Sequence, residues 1–143
     1  MALQNSLKQV IETIQDTVEN NFADQIVEVF FEKFSDTKKA KDYPVMSYYI
    51  DDSGLTIGAN VDTVTLRCEV MDVISGWENK NERTKEVVST CFSISSQLVK
   101  YLQDAKDLYI NDTVTVTPFD NRYKDGLGGV EFTLVISIGA ICL

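Results

Sequence analysis

Between Val87 and Leu102 the chain places apolar residues at three- and four-residue steps: Val87, Cys91, Ile94, Leu98 and Leu102, with Val88, Ser95 and Val99 beside them. That spacing puts one apolar stripe on a helix. Asn81 as cap and Glu82 in the first turn set its start, and the stripe runs to about residue 105. At ~1.5 Å per residue such a helix is about 35 Å long, comparable with the diameter of a small domain. It must therefore lie across a whole sheet. With 143 residues in all, the chain has the size of one domain, and the sequence predicts a single domain over 1–143. It shows neither an internal repeat nor a linker.

The sheet is written as alternation. Val64, Leu66, Cys68 and Val70 share one parity, with Thr65, Arg67, Glu69 and Met71 on the other, and Val130, Phe132, Leu134, Ile136 and Ile138 repeat the device. Leu108, Ile110, Val114 and Val116 predict one further strand running to Pro118, after which 118–129, with Gly126, Gly128 and Gly129, reads as a connecting loop. Pro44 fixes the start of a strand over 45–50, and Asp51-Asp52-Ser53-Gly54 is turn chemistry that closes a hairpin. The densely branched and aromatic run 26–34 leans towards a strand. Leu3, Leu7, Val10, Ile11, Ile14 and Val18 predict an amphipathic helix over 2–20. Together these elements predict an α+β domain, a mainly antiparallel four- to five-stranded sheet packed by two helices.

Charge and missing residue types narrow the function. Twenty-two acidic and 13 basic residues give a net charge of −9, a field that repels phosphate backbones and anionic lipid. The densest basic run, Lys38, Lys39 and Lys41, stands between Asp36 and Asp42. The absence of histidine removes imidazole acid–base chemistry and imidazole metal ligation. Cys68, Cys91 and Cys142 fit neither a disulfide framework nor a zinc site. They point to a reducing compartment, with Cys68 and Cys91 as small core residues. The first residues lack the features of a signal peptide, and no 18-residue apolar run is present. The sequence thus predicts no membrane association, and the sequon at Asn111-Asp112-Thr113 is idle.

No motif supplies chemistry. Aligning Gly126 with the invariant glycine of a calcium loop puts Tyr123 where an oxygen ligand is required. Gly126, Gly128 and Gly129 lead into a strand, without the helix N-terminus that phosphate cradles use. Asp51 and Asp52, adjacent on a strand, point to opposite faces. No nucleophile elbow or SxxK tetrad occurs. The sequence therefore predicts no catalytic, cofactor or metal site, and not an enzyme. The rival enzymatic reading needs a pocket gathering Asp51, Asp72 or Cys68. Trp77, the single tryptophan, sits in a polar loop over 75–81, where it is either an interface anchor or a cap on the end of the core.

Several local sequences, in order, resemble a known family. They are Tyr43-Pro44 at a strand start, Glu69-Val70-Met71-Asp72 at a strand end, Glu86-Val87-Val88-Ser89-Thr90 opening the long helix, Thr117-Pro118-Phe119, Arg122-Tyr123 and Gly128-Gly129. They resemble small virion proteins of phages of Bacteroides-type hosts, crAss-like phages among them. The element order is similar to the tail-terminator fold of tailed bacteriophages. The likeness spans most of 3–138 and departs at Val130, where a tryptophan is expected. It implies a structural protein made in the bacterial host cytoplasm and built into the virion as a ring, six- or twelve-fold, at the head-to-tail neck or the top of the tail. Its partners would be further copies of itself and neighbouring neck, portal or tail proteins, with DNA only passing through the lumen. The strand over 26–34 and the C-terminal strand are the expected joining edges. The loops 75–81 and 119–129, with Trp77 and Arg122, are the expected contacts to neighbours. The alternative is a small intracellular protein-binding module without ring assembly.

Overall fold

Two helices pack on one face of a six-stranded sheet in the computed structural model, which describes residues 6–34, 43–74, 79–104, 108–122 and 126–138. Helix α1, Leu7–Asn21, starts at a capping box in which Ser6 Oγ accepts from Gln9 N–H at 3.1 Å and Gln9 Oε1 accepts from Ser6 N–H at 2.9 Å. It buries Val10, Ile14 and Val18. Helix α2, Lys80–Asp104, buries Val87, Cys91, Ile94, Leu98 and Leu102, the stripe that the sequence predicts. Its cap is Asn79, whose Oδ1 accepts from Glu82 N–H at 3.2 Å, so the expected cap Asn81 lies inside the helix. Of the two asparagines, only the earlier stands three residues before a first-turn N–H that still lacks a backbone partner.

The strands are β1 Glu28–Phe30, β2 Val45–Thr56, β3 Asp62–Val73, β4 Tyr109–Ile110, β5 Val116–Arg122 and β6 Leu127–Ile138. Their order is β1-β2-β3-β6-β4, with β5 paired to β6 as well. Every pair is antiparallel except β1 with β2. The fold is α+β and mainly antiparallel, with more strands than the four or five expected and one parallel pair.

Four expectations are corrected. First, the run 26–34 contains only three strand residues. Ile26 is buried, Val29 packs against the core under the helices, and Phe34 is buried on the opposite face. There the Phe34 N–H donates to Ser47 Oγ at 3.1 Å, and that hydroxyl donates to the Glu32 carbonyl. The segment is densely apolar because it wraps the sheet edge and serves both faces.

Second, Asp51-Asp52-Ser53-Gly54 is a bulge inside β2, with Ile50 opposite Leu66 and Leu55 opposite Val64, so that four residues oppose Thr65 alone. A Cβ on Gly54 would lie 2.6 Å from the Asp51 carbonyl oxygen and 2.8 Å from that of Thr65, so only glycine fits. The hairpin turns further on, over 57–61.

Third, the strand expected over 108–118 is split in two. Between the pieces Asn111 bridges to β6: its N–H donates to the Val135 carbonyl at 3.1 Å, and its Oδ1 accepts from Val135 N–H at 3.1 Å. The side chain completes the pairing while its Nδ2 donates to the Thr113 carbonyl at 2.7 Å, starting the excursion.

Fourth, most of the expected loop 118–129 is strand. Pro118 is tolerated because β5 is an edge strand, and β6 then starts at Leu127. A Cβ on Gly129 would lie 2.0 Å from the Val70 carbonyl oxygen, so the β3–β6 ladder closes only over a bare backbone. The C-terminal strand β6 lies between β3 on one flank and β4 with β5 on the other, so it is interior and not the joining edge expected.

The main core lies under the helices, where Met46, Tyr48, Val64, Leu66, Cys68, Val70, Leu134 and Ile136 are fully buried. Tyr48 reaches the interior of α1, its hydroxyl 3.0 Å from the Ile11 carbonyl oxygen and 2.9 Å from Gln15 Oε1. Burial, with the carboxylates of Glu19 and Asp16 adding to it, pushes the Tyr48 phenol upward. A smaller cluster of Phe34, Val45, Met71 and Leu127 covers one end of the opposite face.

Candidate functional site

The face of the sheet turned away from the helices carries the chemistry. Alternation along β3 puts Arg67 and Glu69 there, register puts Tyr49 beside Arg67 and Glu131 beside Glu69, and β5 brings Arg122 opposite Leu127. Two carboxylates directly across a ladder repel each other. Here two arginines offset the repulsion. Arg122 Nη1 lies 2.8 Å from Glu131 Oε2 and 3.4 Å from Glu69 Oε1, and Arg67 Nη2 lies 2.8 Å from Glu131 Oε2. The Arg122 guanidinium also stacks 3.9 Å from the centre of the Phe119 ring.

The Glu69 side chain is 3% exposed and that of Glu131 14%. Hydrogen bonding from Arg122 is the largest influence on Glu131 and, with Arg67, holds its carboxyl below the usual range against the opposing effect of burial. The bond to Glu131 holds Arg67 above its ordinary value. Burial, then Glu69, raises the Tyr49 phenol. With Lys33, Asp51 and Asp52 these residues line an open basin of about 640 Å³. A carboxylate held ionised by two guanidinium groups is a weak proton donor at neutral pH. The basin suits recognition of a partner that presents both signs of charge.

Of the two residues predicted as interface contacts, Arg122 stands in this network on strand β5, and not in a loop. Trp77 lies outside the described residues. The residues of the rival enzymatic reading are not brought together. Cys68 is fully buried under the helices, and desolvation pushes its thiol well above the ordinary range. Asp72 pairs with Arg83 of α2 at 3.2 Å, and Asp51 lines the basin on the other face. The Cys91 thiol is pushed up to about 12, by burial first and Asp72 second. Among the described residues no three His, Cys, Asp or Glu side chains gather as a metal site, and no helix is long and apolar enough to cross a membrane.

Several exposed apolar side chains lie at the margins of the sheet. Val27 and Phe31 stand at the β1 edge, Phe92 of α2 and Tyr109 at the β4 and β5 flank, and Leu55 and Ile57 at the tip of the β2–β3 hairpin. Ile57 is 90% exposed. The sequence reading missed the hairpin tip because it placed the turn at 51–54, six residues too early. It missed Arg67, Glu69 and Glu131 as a group because only register shows that they meet. The one signal available was that β3 carries two opposite charges on the same parity. No protein-family model matches the sequence, and no curated protein matches it either.

Proposed function

We propose that the chain is a structural virion protein of a tailed bacteriophage, tail-terminator-like in fold. It is made in the bacterial host cytoplasm and joins copies of itself into a ring, six- or twelve-fold, at the head-to-tail neck or the top of the tail. The observation that supports this reading is that, among the described residues, the two flanks of the sheet are unlike and each carries exposed apolar side chains. One flank is the short parallel strand β1 with Val27 and Phe31. The other is the broken edge of β4 and β5 with Phe92 and Tyr109. A ring needs such a pair, because each subunit must offer its neighbour a surface different from the one it uses on the other side. Apolar side chains at both flanks supply contact area. The net charge of −9 limits non-specific adhesion of DNA passing through the lumen. Neighbouring neck, portal or tail proteins would be met above and below the ring, with Arg122 and its network as a charged contact.

The second reading, a small intracellular protein-binding module without ring assembly, is favoured by the basin on the open face, which one charged partner could fill. Native mass spectrometry over a wide concentration range, with negative-stain images of the assembled fraction, separates the two. A closed ring supports the virion role, and a monomer at every concentration favours the module.

A further inference from the structure

The β2–β3 hairpin ends in two exposed aliphatic side chains, Leu55 and the 90% exposed Ile57. Together they leave apolar area in water that a contact would remove favourably. The other feature is a groove of about 260 Å³ between α2 and the segment leading into β5, walled by Phe92, Ser96 and Val99 on the helix and Val114 and Val116 opposite. Phe92 is 52% exposed. The tip and the groove cannot meet within one chain. Asp62, just past the tip, pairs with Ile138, whereas Val116 pairs with Phe132 on the other flank of β6. At ~3.3 Å per residue and about 4.8 Å between strands, these two positions lie about 20 Å apart along β6 and two strand spacings across the sheet.

Charge selects the occupant. In a chain of net charge −9 two copies repel each other unless local groups attract. The hairpin arm carries Asp51, Asp52 and Asp62, while the groove carries Lys100 at its margin, with Asp112 on the opposite rim. We propose that Ile57, with Leu55 behind it, inserts into the Phe92–Val99–Val116 groove of the next copy, with Lys100 of the groove facing the acidic arm. This rests on the ring reading and specifies its joint. The contact is heterologous: every copy gives a tip on one side and a groove on the other, so a suitable rotation between neighbours closes the chain of contacts.

The test is native mass spectrometry of the full chain, of Ile57→Asp, of Phe92→Asp, and of the two variants mixed. Both side chains are exposed, so both variants keep the wild-type circular dichroism and thermal transition. The wild type assembles beyond the dimer, and each variant alone requires at least tenfold more protein to associate. The mixture forms a one-to-one dimer and nothing larger, since one variant keeps a working groove and the other a working tip. That dimer also shows that neither variant is misfolded. Assembly of Ile57→Asp at the wild-type concentration overturns the joint and leaves the ring standing. A wild type that stays monomeric at every concentration overturns both, and so does a mixture that behaves like its separate components if the wild type is also monomeric. If the wild type assembles, the same mixture overturns the joint alone.

Discussion

On the helix-covered face of the sheet β3 contributes Val64, Leu66, Cys68 and Val70, all fully buried, whereas one residue along, on the other face, it contributes Arg67 and Glu69. The same backbone supports both. Under the helices, burial is secured by apolar area, about 1.5–3 kcal/mol for a large side chain taken fully out of water. On the open face Glu69 is as hidden as a core residue, and Arg122, which reaches both it and Glu131, offsets the cost of that burial. One face tolerates loss of shape badly, and the other tolerates loss of a partner badly. The difference teaches that burial alone does not identify which side of this sheet is its core.

The largest effect belongs to the helix face. Leu98→Ala should cost about 2–5 kcal/mol, since the side chain is fully buried in the main cluster. Urea denaturation reads this as a lower midpoint, and a cost under about 1 kcal/mol would mean that α2 does not seat on the sheet as described. Next comes Arg122→Ala, expected at about 1–3 kcal/mol because two carboxylates lose a charged donor together. Arg67→Ala should cost less, about 0.5–1 kcal/mol, since that side chain is 38% exposed and, among the described residues, pairs with Glu131. Reversal of that order would break the comparison between hidden and half-hidden charges.

Acid should discriminate between the faces as well. The Glu131 carboxyl is held below its ordinary value of 4.5 in the folded chain, so its contribution is present above about pH 4.5 and is lost as pH falls through the depressed value. Glu131→Gln should therefore be less stable than the wild type at neutral pH and show a shallower loss between pH 5 and about 2. Parallel curves for the two proteins would contradict the arginine clamp. The smallest effect is Ser95→Ala. Its hydroxyl is buried with no hydrogen-bond partner among the described residues, so removal should be neutral or stabilising by up to about 1 kcal/mol. Thermal melting resolves that shift, and a loss above 1 kcal/mol would show that the hydroxyl is satisfied in solution.

The sequence exposed the helix face well, because periodicity is a local property. Every residue of the α2 stripe except the half-buried Val88 is buried where the spacing placed it, and the parity of β3 and β6 assigns their inner faces correctly. It failed where one residue type supports two geometries. Asp51-Asp52-Ser53-Gly54 makes a bulge as readily as a turn, and only pairing with β3 decides between them. Pro118 read as a strand end, although an edge strand with no ladder N–H to lose admits it. The basin was legible only as separate residues, Arg122 and the pair Asp51 and Asp52, and it is assembled from β2, β3, β5, β6 and the segment after β1, whose meeting no local pattern carries.

The central position of β6 governs the order in which the molecule can be made. Strand β3 leaves the ribosome long before β6, with α2, β4 and β5 between them, and until β6 arrives one whole flank of β3 has no ladder partner. The β2–β3 hairpin can form within microseconds, yet α2 has only half of its platform to rest on. Closure waits for the final described element, a non-local step of the kind that slows folding and exposes apolar strand edges to neighbouring chains. Translation at 5–20 residues per second, by about that estimate, leaves this nascent intermediate waiting for seconds. Many copies made on one message would then sit close together with the same unpaired flank, and any holdase that protects them should recognise β3 before any other part of the chain.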